Sequence, residues 1–207
     1  MNLSEKLWED NFHLAKKSLA TNFVQNLKIG LLPKEKFQLY LAQDYFFLES
    51  FARAYGLAVS KAKDKQTIKI LSELLLGVSQ ELVLHEDYAR KWDINFNINL
   101  IESATKNYTD FLNEVSQKND LINIMCAMAP CMRLYAWIGK SLANNLENNP
   151  YEEWIRTYSD NTFENLAKSL ENLIDMNHNS EKFNELNYFY KKSMELELAF
   201  FNAYSDF

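Results

Sequence analysis

The 207-residue chain carries 22 Lys and Arg against 28 Asp and Glu, a formal charge of -6, so it has no basic excess with which to hold nucleic acid or an acidic membrane surface. Hydrophobic residues at 47% and charged residues at 24% are ordinary for a chain with a packed core and exclude wholesale disorder, and two cysteines are too few for a disulfide framework. The 14% aromatic content is high, which suits a thick core or a pocket walled with flat rings.

Only four Gly and three Pro interrupt the sequence, and apolar residues recur at three-and-four spacing almost throughout, a pattern that predicts an all-α chain. The opening stretch MNLSEKLWEDNFHLAKK is acidic and lacks an apolar segment, so it reads as helix and not as a secretory signal. A first helix is expected from a cap near Ser4 to a glycine stop at Gly30, and Pro33 then opens a second that carries LYLAQDYFFLESFARAYGLAVSKA. A third starts near Asp64, includes LSELLLGVSQELVLHEDYARKW and ends before the polar DINFNIN. A fourth covers ESATKNYTDFLNEVS. Asp120 caps a fifth, LINIMCAMAPCMRLYAWIGKSLANNL, Pro150 opens a sixth, YEEWIRTYSDNTFENLAKSLENLIDM, and a seventh runs from about Ser180 to the end. No uninterrupted apolar run approaches the roughly 20 residues of a membrane span, no repeat of 20 to 50 residues recurs, and no low-complexity linker divides the chain. The expectation is one helical-bundle domain over residues 1–207, in the cytoplasm and without a membrane or nucleic-acid partner.

Both cysteines fall in the fifth helix, with Pro130 between them. Five positions turn a side chain by roughly 140° around a helix, so Cys126 and Cys131 face different ways and cannot share one role. Four-residue spacing stacks Cys131 with Tyr135 and Gly139, and sets Cys126 beside Pro130. Proline offers no N–H to the carbonyl of Cys126, so a bend or loosening is expected just before Cys131. A free cysteine in an apolar helix is ordinarily a packing residue, and spacing alone does not distinguish Cys131 from that role.

Five segments in one order, QDYFFLESFARA (43–54), LVLHEDYARKW (82–92), PCMRLYAWIG (130–139), YEEWIRTYSDNTF (151–163) and ELELAFFNAY (195–204), resemble the TenA/thiaminase II family. The likeness runs from about Phe23 to Tyr204. It implies an all-helical fold of the haem-oxygenase-like type, a homotetramer, no cofactor, and hydrolysis at the pyrimidine half of thiamin or its breakdown products in thiamin salvage, with a small aminopyrimidine as substrate. More narrowly, the chain resembles the branch that keeps an active-site cysteine, at the position of Cys131; Cys126 matches no functional position. The resemblance further implies Glu197 as acid and base, Asp44 as the carboxylate that holds the aminopyrimidine, and Phe47, Tyr108, Tyr135, Tyr158 and Phe200 as pocket aromatics. Phe47 stands where the family often has tyrosine and Asn22 where many members have histidine, so a hydroxyl contact and the fine substrate preference depart from the pattern.

The chemistry suits those residue types. A thiolate adding to the pyrimidine ring lets ring electrons expel an amine from the attached methylene, and water takes its place. The departing amine needs a proton, which a carboxyl beside Phe200 and Phe201 would hold near neutral pH if burial raised its pKa. Glu195 points about 200° away from Glu197 on an ideal helix and is the poorer choice. Two competing readings stand beside this one. A metal-dependent oxidase would need a ligand set, yet the chain has only His13, His85 and His178, with Glu81 and His85 four apart. A pyrimidine-binding or regulatory protein would have no chemical use for Cys131 and Glu197.

Overall fold

A computed structural model of the chain describes residues 1–94, 101–177 and 182–206. Among these, nine α-helices and no strand occur: α1 Leu3–Leu19, α2 Asn22–Lys28, α3 Lys34–Lys61, α4 Lys65–Trp92, α5 Ser103–Lys118, α6 Leu121–Leu142, α7 Glu152–Ser159, α8 Asn161–Asn177 and α9 Phe183–Ala203. The all-α expectation holds. Two of the seven expected helices are each two in fact. The first breaks at Thr21, whose hydroxyl donates to the carbonyl of Ser18 at 2.8 Å and accepts from the N–H of Val24 at 3.4 Å. One side chain thus ends α1 and starts α2. The sixth breaks at Asp160, extended at ψ 148°, whose carboxylate accepts from the Thr162 N–H at 2.7 Å and so begins α8.

Other ends differ by a few residues. Ser4 is not the cap of α1: Asn2 is, its N–H donating to Glu5 at 2.9 Å, while Ser4 uses both its N–H and its hydroxyl on the Asp175 carboxylate. Asp64 caps α4 as expected, accepting from Thr67 at 2.9 Å. The helix after Asp120 ends at Leu142 and not at residue 146, because Asn145 and Asn148 adopt left-handed φ of 60° and 61°, which asparagine tolerates better than most residues.

The Cα positions fall into two compact units, residues 1–32 with 125–207 and residues 33–124. In the second, α3 packs on α4 and α5. The α3 and α5 helices run the same way: Gln43 accepts from the Glu102 N–H at 3.0 Å, Phe47 meets Tyr108, Ser50 donates to Asn113, and Lys61 reaches the Asn119 carbonyl at 2.5 Å. In the first, α1 packs on α8 and α9, and α2 on α9. Asn149 closes the end of α2 by donating to the carbonyls of Leu27 and Lys28 at 3.1 and 3.0 Å.

The α6 helix is long and apolar enough by composition to cross a membrane, against the expectation that no run would approach that length. Within its most apolar window 78% is buried inside the protein, as in the core helix of a globular fold. It continues as α-helix through Pro130.

Candidate active site

The two cysteines of α6 occupy different environments. Cys126 is wholly inaccessible, and burial, reinforced by the negative charge of Asp175, pushes its thiol far above the ordinary value, so it stays protonated. Cys131 is 9% exposed, buried at the margin and not sealed. Of the two, only Cys131 retains access at its surface.

The α9 helix separates its two glutamates in the same way. Glu195 is exposed and pairs loosely with Lys191 at 3.9 Å, whereas Glu197 is 1% exposed. The relation of α9 to α6 follows from two contacts. Ser193 donates to the carbonyl of Ala127 at 2.6 Å, and the Phe201 and Tyr135 rings meet at 5.5 Å between centroids. Both pairs lie 66 positions apart in sequence, so the helices run parallel with constant register. Cys131 lies one turn beyond Ala127 and one turn before Tyr135; Glu197 lies one turn beyond Ser193 and one turn before Phe201. The register therefore sets Cys131 level with Glu197.

Aromatic rings gather one turn beyond this level, around Tyr135. Tyr135 packs edge-on against Tyr158 at 4.8 Å and lies 5.9 Å from Trp154; Tyr158 in turn meets Trp154 at 4.7 Å and Phe163 at 5.0 Å. Gly139 makes this possible. A Cβ there would sit 2.5 Å from the Tyr158 carbonyl carbon and 2.6 Å from the Ser159 nitrogen, so only glycine lets the end of α7 lie against α6. Phe200, the aromatic singled out from the sequence, packs on Tyr204 at 5.4 Å, and its neighbour Phe201 lies 5.5 Å from Tyr135.

Sequence reasoning missed an ionic network on another face of α6. Arg133, two residues after Cys131 and 15% exposed at its side chain, grips Glu171 with two nitrogens at 2.6 and 2.5 Å and Glu164 with a third at 2.9 Å. Lys140 takes the other Glu164 oxygen at 2.8 Å. Burial disfavours the charge on Glu164, but hydrogen bonds from Lys140 and Arg133 outweigh it and lower its pKa from 4.5 to about 2. Burial likewise works against Arg133, and its bonds to Glu171 and Glu164 hold the guanidinium above its ordinary value. These ties clamp α6 to α8. A charged residue within CAMAPCMRLYAWIG was the available signal; its partners, 31 and 38 positions away, were not legible.

In the second unit Asp44 on α3 is 4% exposed, buried as its apolar flanks suggested. One turn on, the Phe47 ring lies 4.7 Å from Tyr108 of α5 and 5.3 Å from Phe51. An open groove of about 490 Å³ elsewhere on α3 and α5, bordered by Glu49, Ser50, Arg53, Lys106, Asp110 and Asn113, contains none of the expected site residues. Among the described residues no three His, Cys, Asp or Glu side chains converge as a metal-ligand group. His178 and the side chain of His85 lie outside the described residues.

The model of the TENA/THI-4/PQQC family matches residues 14–206. The chain is 31% identical over 97% of its length to the bifunctional TH2 protein of Arabidopsis thaliana, of which it spans 37%. It is 34% identical over 74% of its length to the aminopyrimidine aminohydrolase of Halalkalibacterium halodurans, of which the match covers 71%. Among solved structures, the TenA homologue protein of P. horikoshii OT3 superposes with a TM-score of 0.91 at 27% identity, over 99% of this chain and 98% of that one. The haem oxygenase of Leptospira interrogans, at 16% identity and a TM-score of 0.63 over 98% of this chain, shares the fold.

Proposed function

Because the chain belongs to the TENA/THI-4/PQQC family, we propose that it is an aminopyrimidine aminohydrolase: it replaces the amine on the methylene of a 4-aminopyrimidine with hydroxyl, releasing ammonia or a larger amine. The observation that carries this reading is the level placement of Cys131 and Glu197 on two parallel helices, beside a cluster of rings.

In this mechanism the Cys131 sulfur adds to the ring carbon adjacent to the substituted one, which ends aromaticity and places electron density where it can expel the amine. Glu197 supplies the proton that the leaving nitrogen needs. Water then adds to the exocyclic methylene, Glu197 takes its proton, and elimination of the thiolate restores the aromatic ring. The product is a hydroxymethylpyrimidine, and one water is consumed for each amine released. Asp44 is assigned to the amino group and adjacent ring nitrogen of the substrate, a pair of polar atoms that a carboxyl matches with its two oxygens, and its burial supports that use. On the family pattern alone, Phe47, Tyr108, Tyr135, Tyr158 and Phe200 are assigned as flat walls. The salvage role and the homotetramer belong to the same proposal, on the family pattern alone.

The test is direct: purified protein is incubated with a 4-amino-5-aminomethylpyrimidine and, separately, with thiamin, and released ammonia and free thiazole are measured. Release in at least one reaction is expected. Binding without release in both would assign the chain to pyrimidine binding instead.

A further inference from the structure

Four serines of this chain show the common use of a helical hydroxyl. Ser18, Ser72, Ser141 and Ser169 each donate to the carbonyl four residues back in their own helix, bonding Leu14, Ile68, Trp137 and Asn165 at 2.7 to 3.1 Å. Ser193 does otherwise. Wholly buried on α9, it leaves its own helix and donates at 2.6 Å to the carbonyl of Ala127 on α6, itself 1% exposed.

That acceptor has a particular place. In a continuous α-helix the carbonyl of Ala127 also receives the N–H of Cys131, so the hydroxyl bonds the peptide group on which the cysteine's own turn closes. The preceding carbonyl, of Cys126, receives no such bond, because residue 130 is proline. The turn leading into Cys131 is therefore short of one internal tie and carries one external tie. At the donor end, Ser193 is one turn before Glu197. A single hydrogen bond thus joins the turn below the thiol to the turn below the carboxyl, and the Tyr135 and Phe201 rings make the matching contact one turn above.

We infer that Ser193 is a positioning residue: its hydroxyl fixes the axial register of α9 against α6 and thereby the reach from the Cys131 sulfur to the Glu197 carboxyl. This rests on the roles proposed above for those two residues. The aromatic contact is compliant, since rings slide over one another at little cost, whereas a buried hydrogen bond of 2.6 Å tolerates little displacement. A misplacement of about 1 Å between reacting groups costs on the order of 100-fold in rate, and a slip of one residue along a helix is about 1.5 Å.

The experiment compares Ser193→Thr with Ser193→Val, two side chains of equal shape that differ in the hydroxyl, and adds Ser193→Ala, which only removes an oxygen. Ser18→Ala is the control, because it deletes a buried hydrogen bond that stays within α1. Amine release and thermal melting are measured for each, together with Cys131→Ser. In the expected result, Ser193→Val and Ser193→Ala lose about 10- to 100-fold in kcat with KM within about twofold, Ser193→Thr stays within about threefold of wild type, and Ser18→Ala melts lower with kcat unchanged. Wild-type kcat in both Ser193→Val and Ser193→Ala, or equal losses in the Thr and Val variants, overturns the inference while an inactive Cys131→Ser leaves the proposed mechanism standing. An active Cys131→Ser overturns both.

Discussion

The proposed roles of Cys131 and Glu197 require surroundings that set each apart from a chemically identical neighbour close in sequence, Cys126 and Glu195. Cys126 is sealed and its thiol is held protonated by burial, while Cys131 keeps 9% exposure. In native protein, iodoacetamide is expected to alkylate Cys131 and leave Cys126 untouched, as peptide mass spectrometry will show; labelling of Cys126 at the same rate would contradict the burial difference. Replacing Cys131 by Ser should lower turnover by roughly 10³-fold or more, because a hydroxyl is a poor substitute for a thiolate, whereas Cys126→Ser should cost about 1–3 kcal/mol of stability with kcat retained. Glu197→Gln is expected to lose about 10²- to 10⁴-fold in kcat and Glu195→Gln nothing measurable, read from steady-state rates. Which cysteine and which glutamate to favour came from family likeness and helical angle; why they differ is a matter of burial, and burial depends on what other helices bring.

At the scale of elements, α6 is the member on which the first unit depends. Its Gly139 admits the backbone of α7, its Arg133 binds α8, and its Ala127 and Tyr135 meet α9. Gly139→Ala pushes a methyl group into the Tyr158–Ser159 peptide, which is backbone and cannot turn aside. The expected cost is about 1–3 kcal/mol in chemical denaturation, with a raised KM because the Tyr158 ring moves off Tyr135. An unchanged denaturation midpoint would show that α7 gives way freely. The helices themselves were largely legible, since apolar periodicity and the caps at Asp64 and Asp120 mark their extent. The breaks at Thr21 and Asp160 were not, because helical periodicity runs through both and the interruption comes from one side chain bonding across the junction.

For the molecule as a whole, stability should depend on pH through the buried ions of the first unit. Glu164 has a folded pKa of about 2 against an ordinary 4.5, so its charge stabilises the fold at pH values above 4.5. As pH falls from about 5 through 2 the unfolded chain binds this proton first, and the contribution is lost. Denaturation midpoints of wild type should therefore drop steeply over that interval, and those of Glu164→Gln should drop less, so that the gap between them narrows toward pH 2. Parallel curves would remove Glu164 from the acid transition. The net charge of -6 in a chain of pI 5.2 adds a general repulsion at neutral pH, which both proteins share.

By itself the sequence determined that this chain is helical, where most helices start and stop, and to which family its five segments belong, because each of those depends on residues near one another along the chain. Tertiary structure alone decided that Cys131 stands level with Glu197, that Phe201 is the neighbour of Tyr135, and that Arg133 is held by two glutamates. Those relations join residues 31 to 66 positions apart, and their register is set by close packing and by a few buried hydrogen bonds that leave no periodic trace.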